Sequence, residues 1–137
     1  MEFFEGAKIT LLDPLGLYLA NDVKWIKLNQ KWNSLKFPVV IGGKGQPILL
    51  LHGFDSSFLE FRRIYKSLKR NFQVIVPDLL GFGFSPRLAT NEYNPSKIIS
   101  YLIDLLNTLQ ITKNIKIIGA SMGGSTALKL AFEIPDS

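Results

Sequence analysis

The spacing of apolar residues changes character part-way along the chain. Val23 to Leu28 and, more loosely, Lys36 to Ile41 alternate apolar and polar side chains, the period-two pattern of exposed or edge strands. After Pro47 the alternation stops. Ile48-Leu49-Leu50-Leu51 is a short run without a polar residue. Phe72 to Val76, closed by Pro77, and Ile115 to Ile118 read as two further buried strands. Runs of this kind suit strands covered on both faces, as in a parallel sheet.

Between them the apolar positions recur at helical spacing. Phe58, Phe61, Tyr65 and Leu68 mark one face of a helix over about 58–70. Ile98, Leu102, Leu105, Leu106 and Leu109 mark a second, with Asn94 as its N-cap and Pro95 as its first residue. A third runs from Met122 to about Phe132, and a Gly-rich loop is expected over about 78–94. The first 20 residues show no clear period. Gly42-Gly43-Lys44-Gly45 reads as a turn, not a phosphate-binding loop, because Gly45 stands where that loop needs Ser or Thr. Alternating strands and helices predict the α/β class, a mostly parallel sheet with crossover helices. Ligands of such sheets bind beyond the carboxyl ends of the strands.

Composition narrows the chemistry. A chain that is 47% hydrophobic and 20% charged fits one globular domain over residues 1–137. No cysteine is present, which excludes a disulfide framework and thiolate metal sites. His52 is the one histidine, so a histidine-based zinc cluster is excluded too, and neither a metal nor another cofactor is expected. The net charge of +5 is carried in part by Arg62, Arg63, Lys66, Lys69 and Arg70. They interleave with apolar residues at helical spacing, which reads as the solvated face of an amphipathic helix; no nucleic-acid partner is expected. No apolar run approaches the roughly 20 residues of a membrane span. Glu2, Glu5 and the Asp13-Pro14 interruption make a poor signal peptide, and a soluble location, cytoplasm or plastid stroma, is the expectation.

Three loops at strand ends carry candidate chemistry. Gly119-Ala120-Ser121-Met122-Gly123 matches G-x-S-x-G, follows an apolar strand and opens a helix. A serine on so sharp a turn has strained backbone, and Gly119 and Gly123 leave room for the close approach. The helix behind Ser121 offers backbone N–H groups to developing negative charge. The plainer alternative is a glycine-rich turn with a serine N-cap. His52-Gly53-Phe54 follows the strand at 48–51, and Asp78-Leu79-Leu80-Gly81-Phe82-Gly83-Phe84-Ser85 follows the next.

Together and in this order, the three motifs resemble the α/β-hydrolase fold family, in its esterase, lipase and cofactor-free haloperoxidase branch. The stretch from His52 to Arg63 looks like cyanobacterial and plastid members. The motif-bearing core runs over about 45–132. The resemblance implies that Ser121 is the nucleophile and that the N–H groups of Phe54 and Met122 are oxyanion donors. It makes His52, Gly53, Asp78, Gly81 and Gly83 structural members of their loops, with the Asp78 carboxylate accepting backbone N–H bonds. Serine at position 121 argues against the epoxide hydrolase and haloalkane dehalogenase branches, which use aspartate there.

One departure limits the analogy. The family places its acid and its histidine after the nucleophile, and no histidine follows Ser121. The expectation is a partial fold, truncated after the nucleophile helix, from a gene fragment, a split gene or a shortened chain. If completed, it would act on a small ester-like substrate. The alternative is a non-catalytic binding or interaction module, and either version would leave a sheet edge open to pairing.

Overall fold

The computed structural model describes residues 1–89 and 93–135. Part of the Gly-rich loop expected over 78–94, and the last two residues, lie outside the described residues. The chain opens with two short helices, α1 (Glu2–Ile9) and α2 (Pro14–Ala20). Asp13 caps α2 by accepting the N–H of Leu15 at 2.9 Å. Strands β1 (Val23–Lys27), β2 (Lys36–Gly42) and β3 (Gln46–Leu51) follow, then helix α3 (Arg62–Leu68) and strand β4 (Phe72–Pro77). Helix α4 (Pro95–Thr108), strand β5 (Lys116–Gly119) and helix α5 (Met122–Glu133) complete the described elements. The Asn94 side chain caps α4 by accepting the Lys97 N–H at 2.9 Å.

The five strands form one mixed sheet in the order β1-β2-β4-β3-β5. β1 with β2 and β2 with β4 are antiparallel, whereas β4 with β3 and β3 with β5 are parallel. The period-two geometry of β3 sorts its side chains between two cores. Leu49 and Leu51 face a layer that holds Leu102, Leu105 and Leu130 of α4 and α5. Ile48 and Leu50 face a layer with Phe4 and Leu19 of α1 and α2, and with Tyr65 of α3. Burial on both faces is why this run contains no polar residue.

Three expectations need correction. β2 is not an edge strand: it pairs on both sides, and Phe37, Val39 and Val40 are fully buried. The helix expected over 58–70 begins as a 3₁₀ turn, Phe58–Phe61, before α3 proper. β5 is not a buried strand, because it lies at the sheet edge and pairs only with β3 among the described residues. α5 covers one face of it, and on the other Ile118 stays 44% exposed.

Candidate active site

The sheet brings the carboxyl ends of β3 and β5 side by side, with Leu51 in register with Gly119. Ala120 extends that ladder, donating its N–H to Leu51 O at 3.0 Å. The chain then reverses at Ser121, whose φ of 52° and ψ of −117° are left-handed and strained for a residue with a side chain. The two flanking glycines are required by space. A Cβ on Gly119 would meet Gly123 O at 2.1 Å, and one on Gly123 would meet Leu51 O at 2.0 Å. Neither distance is possible without moving backbone. The reversal leaves Ser121 exposed at the N-terminus of α5, its hydroxyl unbonded to any described residue.

The loop after β3 packs against this turn. A Cβ placed on Gly53 would stand 3.5 Å from both Ser121 Cβ and Ala120 O. Gly53 is itself held by Glu60, whose Oε2 accepts its N–H at 2.8 Å. Sequence reasoning assigned Glu60 no role, since only the folded turn brings it back to Gly53. The N–H groups of Phe54, next to Gly53, and of Met122, next to Ser121, donate to no acceptor among the described residues. The Phe54 ring is exposed and packs edge-on to Phe82 at 5.5 Å.

His52 is wholly buried and turned away from proton transfer at Ser121. Its Nε2 accepts the Leu79 N–H at 2.9 Å, and its Nδ1 lies 2.8 Å from Gly53 O. Both contacts are met by the neutral ring with its proton on Nδ1. Burial pushes the imidazole pKa below its usual 6.5, which keeps the ring neutral.

Asp78, 4.0 Å from Nε2 of His52, is equally buried. Its two carboxylate oxygens accept the Phe58 and Phe84 N–H groups, each at 2.7 Å. Its carbonyl accepts the hydroxyls of Ser85 at 2.9 Å and Tyr101 at 3.2 Å. Burial pushes its pKa up to about 7 against the opposing pull of the two N–H groups. Gly83 lies so close that a Cβ there would meet Asp78 Oδ2 at 2.3 Å, and Gly81 turns the same loop with φ 89°. His52 and Asp78 thus tie the two loops after β3 and β4 to each other.

The sequence model of the alpha/beta hydrolase fold matches residues 46–137. The chain belongs to the α/β-hydrolase fold family. Among curated members it is 33% identical over 97 residues to a 2-hydroxymuconate semialdehyde hydrolase of Pseudomonas sp. (strain CF600), covering 69% of this chain and 34% of that protein. It is 36% identical over 91 residues to Lipase 1 of Psychrobacter immobilis, covering 66% and 28%. The chain therefore spans about a third of the length of these hydrolases. A meta-cleavage product hydrolase from Pseudomonas fluorescens IP01 superposes with a TM-score of 0.74 at 28% identity, covering 82% of this chain and 41% of that one. An epoxide hydrolase, CorEH, superposes with a TM-score of 0.74 at 29% identity, covering 83% and 38%. Within this α/β-hydrolase fold, the three loops singled out in the sequence all lie inside the matched segment. No described helix is long and apolar enough to cross a membrane.

Proposed function

We propose that this chain carries the nucleophile half of a serine acyl-hydrolase site. The supporting observation is the strained, unbonded Ser121 on the glycine-lined turn between β5 and α5, with the Gly53 loop against it. In this reading Ser121 Oγ attacks the carbonyl carbon of a small carboxylic ester or related acyl compound. The N–H groups of Phe54 and Met122 receive the negative charge on the former carbonyl oxygen. Collapse of the tetrahedral species expels the leaving group and leaves an acyl-serine, which water hydrolyses. The relatives' names, hydrolases and a lipase, favour hydrolysis over the binding-module alternative.

The attack needs a base to take the hydroxyl proton, and His52 is committed to Leu79 and Gly53. We assign the base and its acid partner to further polypeptide that extends the sheet from β5. Two features favour that position: the open β5 edge, and a cavity of about 430 Å³ lined by Ile115, Ile117, Leu128 and Ile134. A fluorophosphonate probe followed by peptide mass spectrometry tests the nucleophile. Ser121 should be modified faster than the other serines, and Ser121→Ala should abolish that adduct. Modification of Ser56, Ser57 or Ser125 in preference to Ser121 would overturn the assignment.

A further inference from the structure

Helix α2, Pro14–Ala20, contains no charged residue, yet half of it faces solvent. Leu15 and Tyr18, three residues apart on one face, are exposed. The ridge continues N-terminally through Leu12, 93% exposed, and Ile9, 85% exposed at the end of α1. At that exposure Leu12 and Ile9 protrude, while Leu15 at 40% and Tyr18 at 37% are more than half covered.

A basic surface adjoins this ridge. α2 packs on α3, with Lys66 Nζ 5.6 Å from the centre of the Tyr18 ring. Asp13 and Asp22, which flank α2, are already used: Asp13 pairs with Arg62, and Asp22 with Lys69. The exposed Glu2 and Glu5 lie in the first turn of α1, at the far end from Ile9. Arg63, Lys66 and Arg70 are exposed and have no acidic partner among the described residues. Residues 1–45, which supply the ridge, lie outside the match to the family's sequence model, so the family core does not account for it.

We propose that the α1–α2 ridge and the basic face of α3 together dock on an anionic lipid bilayer surface. Protruding apolar side chains are poor for a protein partner, which needs shape complementarity, and suit a fluid hydrocarbon layer that closes around them. Tyr18 carries a polar tip on an apolar ring, the chemistry of residues that sit at headgroup depth. Arg63, Lys66 and Arg70 then meet the lipid phosphates. Each cation near an anionic leaflet is worth about fivefold in affinity, so three give on the order of a hundredfold. The helices lie along the surface, and no described helix is long and apolar enough to span the bilayer.

The test is co-sedimentation of the chain with vesicles of phosphatidylcholine alone or mixed with phosphatidylglycerol, with circular dichroism on every variant. The mixed vesicles should bind on the order of a hundredfold more tightly, and less so as salt rises. Arg63→Glu with Lys66→Glu should remove that preference. Ile9→Asp with Leu12→Asp should weaken binding to both vesicle types. Lys113→Glu, an exposed charge change on the loop before β5, should cost far less than either charge change on α3. Failure to bind the mixed vesicles would overturn the proposal. So would equal binding to both vesicle types, or a loss with Lys113→Glu as large as that with Lys66→Glu.

Discussion

Leu79 donates its N–H to Nε2 of His52 at 2.9 Å, joining the loop after β4 to the loop after β3 through the chain's single imidazole. Protonating Nε2 would break that bond in a buried site. The folded-state pKa is therefore depressed by burial, below 6.5. The sign follows: the unfolded chain takes up the proton first, so stability from this group is present above pH 6.5 and is lost as pH falls through the folded pKa. Because there is one histidine, proton NMR reads it directly. Its ring signals should titrate below 6.5, and a value at or above 6.5 would contradict the bonding described.

Asp78 pulls the other way. With a folded pKa of about 7 against an ordinary value of 3.8, the folded state keeps a proton that the unfolded chain has released. Stability from this group falls as pH rises between those values. Asp78→Ala removes that slope and orphans the N–H groups of Phe58 and Phe84. Each buried unpaired donor costs about 1–3 kcal/mol, so urea unfolding should show a loss of at least about 2 kcal/mol.

The turn at Ser121 makes a stability prediction that separates it from an ordinary glycine-rich loop. Gly123→Ala puts a methyl 2.0 Å from Leu51 O and must shift backbone. We expect a loss of about 3 kcal/mol or more. Gly6→Ala meets nothing within 4 Å in α1 and should stabilise by about 0.5–1 kcal/mol. Thermal unfolding of the two variants side by side checks both signs.

Much of the architecture was legible because its signals are local. The Ile48–Leu51 run lies between two helical layers, and only apolar residues suit both faces. The Ser121 turn was legible in part: Gly119 is needed against Gly123 and Gly124 within the turn itself, whereas Gly123 is needed against Leu51 of β3, a neighbour only the paired sheet supplies. What escaped depended on distant partners. β2 looked half exposed because Lys36 and Pro38 interrupt its apolar residues, yet β1 and β4 flank it. α2 has no polar face, so it shows no helical period. Ile118 reads as buried from its neighbours in sequence, but its exposure is set by the edge position of β5. The contacts that hold the loops, Glu60 to Gly53 and Leu79 to His52, appear only once the strands are paired.

The central claim is that Ser121 stands in nucleophile geometry while the base that would activate it is not His52. The most direct measurement is turnover of an activated ester by the purified chain, beside Ser121→Ala and His52→Ala. General-base help contributes about 10²–10⁴-fold, and a catalytic triad acts as a unit. The account therefore predicts no efficient turnover by residues 1–137 alone, with at most a slow, Ser121-dependent acylation. Robust turnover that vanishes with Ser121→Ala and equally with a folded His52→Ala would show that this chain is a complete enzyme using His52, and would contradict the account.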